Sequence, residues 1–201
     1  GDMKRMLKTI YKNLEGTLPE LTTEEIDLKE TELVESLTGL KSTDDINTLV
    51  VSEPVMGSQA LEVAVIKTKE NTDNEAMMQN IKDNVDMSRW ICVSAEKLYI
   101  VNSGDVIFMV MADSDWAKSI YDEFVKDIVK YGAYLCNAEE KAKLEALMFK
   151  PNKDGVVTGV FPGVVGHPAW EIAEWAGFSV PKETPALLVE CNSVGPEEPM
   201  T

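Results

Sequence analysis

The chain has 201 residues, 44% of them hydrophobic and 27% charged, with a formal net charge of −16. That length covers one domain or two and suffices to bury a core, while no apolar run approaches the roughly 20 residues of a membrane helix. The acid excess repels phosphate backbones and anionic lipid, which excludes nucleic acid as a ligand and direct insertion of this segment into a membrane.

In chain order, Met3 to Leu14 places Met6 or Leu7, Ile10 and Leu14 at helical spacing, with Gly16 as a stop. Leu28 to Leu40 carries Leu33, Val34, Leu37 and Leu40 three to four apart, a second and weaker helix. From Thr48 the period changes. Leu49 to Val51 reads as a β run, Pro54 to Gly57 as a break, and Leu61, Val63 and Val65 as alternation into a second, antiparallel strand. Asp73 ends a capping stretch before a helix over Glu75 to Val85, whose Met77, Met78, Ile81 and Val85 share a face. Ile91 to Val101 and Val106 to Met111 are β-rich and joined through Asn102-Ser103-Gly104-Asp105, a hairpin. Asp113-Ser114-Asp115 then caps a helix running through Trp116, Ile120, Phe124 and Ile128. Paired strands with helices between them predict an α+β fold: an antiparallel sheet of about four strands with helices packed on one face.

The stretch Ser52 to Phe124, above all NVDMSRWICVSAEK and GDVIFMVM, resembles the domain of unknown function 4358 family, and the likeness reaches back to about Met3. That resemblance implies a domain over residues 1–128 of the kind carried by exported lipoproteins of Gram-positive anaerobes. It implies an extracytoplasmic address, membrane-anchored if a removed lipoprotein signal preceded residue 1, with a cytoplasmic location as the alternative.

From Ile120 a second pattern begins. Asn137 caps a helix over Ala138 to Phe149, with Glu140 three residues on; Lys150 to Val165 reads as a loop. Pro168 opens a helix through Trp170, Ile172 and Ala176 that Gly177 ends, and Pro185 to Cys191 is a β run. This is a mixed helix and strand tail over residues 129–201. The strings AYLCNAEEKAKLEALMF and VGPEEP resemble CoA-acylating aldehyde dehydrogenases. That family implies a nucleotide-binding domain beside a catalytic domain, with a nucleophile motif similar to ICASEQ about a dozen residues before the equivalent of Ile120 and further cofactor-contacting residues beyond the equivalent of Thr201. In this chain 28 residues separate Cys92 from Ile120, and the Asn102 to Asp105 hairpin lies between them.

Cys92, in SRWICVSAEK, is the single candidate nucleophile. Alternation from Trp90 reads it as a small apolar residue in a strand, and only Arg89 supplies a nearby positive charge of the kind that activates a thiol. Cys136 precedes a helix cap and Cys191 ends a strand, and both read as structural. Three widely spaced cysteines form neither a disulfide framework nor a CxxC zinc site. His167, the sole histidine, sits before Pro168 at a helix start and reads as a cap or a solvent-facing residue. Asp44-Asp45, Glu24-Glu25 and Glu139-Glu140 read as caps and solvated faces, and Asp113-Ser114-Asp115 lacks the remaining ligands of a calcium loop. Trp90, Trp116, Trp170 and Trp175 read as core, as do Met77, Met78, Met109 and Met111, although an exposed Met-rich groove would suit a partner peptide. No phosphate-cradling glycine motif occurs.

These readings assign no metal and no cofactor. They favour a non-enzymatic, extracytoplasmic binding or interaction domain with a protein as the fitting partner, carrying an incomplete dehydrogenase-like tail. An NAD-dependent acylating aldehyde dehydrogenase relative is the alternative. A third reading joins the two patterns by recombination or assembly near IYDEF, Ile120 to Phe124, which suits either.

Overall fold

The computed structural model describes residues 1–130, 132–151, 153–157, 160 and 162–190. The chain folds as two compact units, Gly1–Asp127 and Ile128–Thr201.

The first unit is built on a five-stranded antiparallel sheet. In chain order its elements are α1 (Asp2–Asn13), β1 (Leu21–Glu25), α2 (Thr31–Thr38), β2 (Ile46–Pro54), β3 (Leu61–Thr68), α3 (Asn74–Asn84), β4 (Lys97–Ser103), β5 (Val106–Ala112) and α4 (Ser114–Lys130). The strand order is β1-β2-β3-β5-β4, every neighbouring pair antiparallel. The α+β class is as the sequence reads, with five strands. The added one is β1, LTTEE, whose acidic composition hides a strand held by its ladder to β2.

Helices cover both faces of this sheet, not one as the sequence suggested. Side chains alternate across a strand, so Leu49, Val51, Ala64, Ile66, Ile107 and Met109 share one face, where they pack with Val34 and Leu37 of α2 and Met78 and Ile81 of α3. On the opposite face, Phe108 stacks on Phe124 of α4 with ring centroids 3.8 Å apart, and Tyr99 stacks on Tyr121 at 4.9 Å. Asn13 Nδ2 donates to Glu123 Oε2 and Trp116 Nε1 to the Thr17 carbonyl, tying α1 and its following turn to α4. Double coverage explains why β3 and β5 are buried almost throughout.

Local signals place the helix ends. Asp73 accepts from the Ala76 N–H at the start of α3, and Asp113 accepts from the Trp116 N–H in the first turn of α4. Gly39 ends α2 at φ +79°, and a Cβ there would lie 2.6 Å from the backbone of Asn84 and Val85, so the ends of α2 and α3 meet at a position only glycine fits.

In the second unit, β6 (Tyr134–Leu135) pairs in parallel with β7 (Leu187–Leu188), and between them lie α5 (Ala138–Met148), a 3-10 turn over Pro162–Val164 and α6 (Ala169–Ala176). Asn137 and Glu140 form a reciprocal capping box on α5, and Gly177 ends α6. Among the described residues, the β run expected over Pro185 to Cys191 is a strand at Leu187–Leu188 alone, and β6 is its partner. Cys191 and the VGPEEP segment lie outside the described residues.

Candidate functional site: the Arg89 loop and its carboxylate pair

The strand expected from Ile91 begins only at Lys97. Residues 86–96 instead form a loop closed on itself: the Ala95 N–H donates to the Met87 carbonyl at 2.7 Å, the Ser88 N–H to Asp86 Oδ1 at 2.9 Å, and Ser94 Oγ to Ser88 Oγ at 3.0 Å. A loop whose ends meet and whose own polar groups bond one another is a compact surface module. Gly39, packed against Asn84 and Val85, fixes where it leaves α3.

This geometry corrects the reading of Cys92 as a strand residue in the core. Cys92 is exposed and holds a left-handed φ of +61°, a conformation that costs a non-glycine residue about 1–3 kcal/mol and persists only where its surroundings offset that cost. Ile91 beside it is 78% exposed, among the most exposed large apolar side chains described.

What enforces the loop is Arg89. Its guanidinium reaches down to the α2 and α3 face of the sheet, where Nη2 donates to Glu62 Oε1 at 2.8 Å and also to Glu53 Oε1. It also lies over the Trp90 ring, 4.5 Å from the centroid. Glu62 is fully buried at the start of β3, whereas the Glu53 side chain, near the end of β2, is 40% exposed. Burial pushes the Glu62 carboxyl up to about 8; Arg89 opposes that rise and Glu53, a like charge, adds to it. One cation thus bridges the carboxyls of Glu53 and Glu62, and burial favours the protonated form of Glu62. Among the described residues, the buried Glu62 Oε2 and Arg89 Nε have no hydrogen-bond partner.

Sequence reasoning missed this cluster because it put Leu61, Val63 and Val65 inward and so left Glu62 facing solvent. The available signal was the apolar character of Ala64 and Ile66, which share the face of Glu62 and mark that face too as buried. A glutamate in such a strand needs a partner.

The remaining candidates stay apart. Cys136 is buried, and burial, with Glu140 nearby, pushes its thiol up to about 11, so it remains protonated at neutral pH. Tyr134 Oη donates to Glu140, which also accepts from the Asn137 N–H, so this carboxylate serves a structural network. His167 is exposed as expected, its Nδ1 2.8 Å from Glu171 Oε2 and its ring edge-on to Trp175. The tryptophans are not core: Trp90, Trp116 and Trp170 are half-buried and Trp175 is 49% exposed. Met78, Met109 and Met111 are buried as read. In the first unit, Tyr11 Oη is buried facing Ser52, and burial raises its phenol above the usual range.

No protein-family model matches the chain, and no solved structure does. Among curated proteins, an aldehyde-alcohol dehydrogenase of Streptococcus pneumoniae is 46% identical over 87 residues, 42% of this chain and 10% of that protein. The acylating sulfoacetaldehyde dehydrogenase of Bilophila wadsworthia is 38% identical over 73 residues, 36% of this chain and 16% of that one. The bifunctional aldehyde-alcohol dehydrogenase of Escherichia coli is 28% identical over 148 residues, 71% of this chain and 14% of that protein, a match long enough to reach into the first unit. Part of this chain is therefore related to part of the aldehyde-alcohol dehydrogenases, and it spans only about a tenth of their length.

Proposed function

We propose that the chain is a binding or interaction protein without dehydrogenase activity. Its first unit belongs with the domain of unknown function 4358 type and works outside the cytoplasm, and its second unit is a piece of the acylating aldehyde dehydrogenase catalytic region. The observation that carries this reading is the loop over residues 86–96: a largely buried Arg89 side chain bonded to Glu53 and Glu62 anchors a tip that offers Ile91 and Cys92 to solvent. Such an anchored tip is built for contact with a partner. The thiols give the same direction, because Cys136 is held protonated and Cys92 stands 28 residues before Ile120, where the resembling family implies a nucleophile about half as far away.

The second reading, an NAD-dependent acylating aldehyde dehydrogenase relative, is favoured by the 46% identity to the Streptococcus pneumoniae enzyme. The two are separated by following NADH formation from acetaldehyde, CoA and NAD, with Cys92→Ala as control. The expected result is no turnover by either chain. Turnover abolished by Cys92→Ala would establish the dehydrogenase reading instead.

A further inference from the structure

The two ends of the five-stranded sheet show different surfaces to solvent. One end gathers the start of β1, the turn between β2 and β3, the loop over residues 86–96 and the junction of β5 with α4, because Leu21 pairs with Pro54 and Ala112 pairs with both Leu61 and Lys97. Four large apolar side chains of the first unit are exposed, and three of them lie at this end: Val55, Met56 and Ile91, each more than half exposed. Hydrogen bonds place the two segments that carry them. The Val55 N–H donates to the Glu20 carbonyl at 3.0 Å, and Arg89, two residues before Ile91, donates to Glu53, two residues before Val55. Single apolar residues scattered over a surface are ordinary, whereas several gathered in one place mark an interaction site. Charge separates the two ends further. At the apolar end Glu20, Asp86, Glu96 and Asp115 are exposed and Glu53 is half-exposed, Arg89 is taken up by its two carboxyls, and Lys97 is the only lysine in the segments named. The opposite end interleaves Asp44, Asp45 and Glu70 with Lys41, Lys67 and Lys69, all exposed, and has no exposed large apolar side chain among its described residues.

We propose that the apolar end of the sheet is a docking surface for a basic, amphipathic segment of another protein, which sets apolar side chains on Val55, Met56 and Ile91 and lysine or arginine among the surrounding carboxylates. Charge complementarity selects this occupant. A second copy of the chain would bring the same excess of carboxylates against this one, and the phosphates of nucleic acid or anionic lipid are repelled in the same way. A segment that is both basic and apolar satisfies both parts of the surface: its cations meet the acidic rim and guide the encounter, while contact between apolar groups at the centre supplies most of the affinity. This assignment rests on the reading of the loop tip as a contact surface and adds the chemistry of the partner. Whether the chain also forms NADH is decided by the assay above and not by binding.

Fluorescence anisotropy with the whole chain tests it, using as probe a dye-labelled synthetic amphipathic helix of leucine and lysine. Saturable binding that weakens with salt is expected for this probe, and none for a leucine–glutamate helix of the same pattern or for an oligolysine of the same charge. Met56→Ser/Ile91→Ser is expected to weaken binding at least tenfold. Glu20→Lys/Glu96→Lys is expected to weaken it more than Asp44→Lys/Asp45→Lys, which changes the net charge equally at the opposite end of the sheet; all six replaced residues are exposed. Absence of binding to the leucine–lysine helix overturns the proposal. So does oligolysine binding of equal strength, or an equal effect of the two charge-reversed pairs, either of which would reduce the attraction to overall charge. Binding of the chain to uncharged phosphatidylcholine vesicles that Met56→Ser/Ile91→Ser abolishes would overturn it too, by making the patch a membrane contact.

Discussion

The two units reach their folds by different means. In the first, strands distant in sequence are paired into one sheet: Phe108 and Phe124 stack, β3 and β5 are covered on both sides, and a buried ion cluster clamps the loop over residues 86–96. In the second, the described order rests on two local devices, the capping box of α5 and the glycine stop of α6, and on one long-range pairing, a parallel ladder of only two residues on each side. Parallel strands are ordinarily held in larger sheets with both faces buried. The difference teaches that the first unit has a cooperative core of its own, whereas the second has helices that are well specified and a sheet that is minimal.

Three substitutions sharpen or break this contrast. The largest effect is expected from Phe124→Ala, which empties a site 1% exposed against Phe108. Loss of a buried aromatic of this kind costs about 3–5 kcal/mol, read as a lower urea midpoint for the first unit. A loss under about 1 kcal/mol, the size of a surface change, would mean that the sheet's α4 face is not the core described here.

Next comes the pH dependence set by Glu62. Its carboxyl rises from 4.5 in the unfolded chain to about 8 in the fold, so between those values the folded chain keeps a proton that the unfolded chain releases. This contribution to stability is fully present below about pH 4.5, falls as pH rises towards 8, and is level above. The slope reaches up to about 1.4 kcal/mol per pH unit. Glu62→Gln keeps a hydrogen-bonding partner for Arg89 and is expected to remove that decline, seen by comparing urea midpoints of the two chains at pH 5.5 and pH 8. Equal declines in both chains would place the titration elsewhere.

The smallest effect belongs to the second unit: Asn137→Ala removes the side chain that accepts from the Glu140 N–H. A lost cap costs about 1 kcal/mol, expected as faster amide exchange in the first turn of α5 with β3 and β5 unchanged.

What the sequence showed and what it hid divide along the same line. The Asp73 and Asn137 caps, the tight turn between β4 and β5 and the stop at Gly177 were legible because each is fixed by residues within four positions of one another. β1 was not, because LTTEE becomes a strand only through pairing with Val50 to Pro54. Nor was the loop at residues 86–96, where β-rich composition argued for a strand and the deciding contacts, Arg89 to Glu53 and Glu62, span 36 and 27 residues. The exposure of Cys92 followed from that same distant clamp. Glu62 was misplaced because alternation tells two faces of a strand apart but does not say that both are covered.

Native-state hydrogen exchange on the whole chain tests the central contrast most directly. The amides of Val65 and Val110, in the doubly covered strands, are expected to exchange only through global unfolding of the first unit. Those of Tyr134 and Cys136, which donate to the carbonyls of Ala186 and Leu188 in the two-residue ladder, are expected to exchange through local opening at clearly lower free energy. Protection of Tyr134 and Cys136 equal to that of Val65 and Val110 would contradict the account and make the second unit as firmly cored as the first.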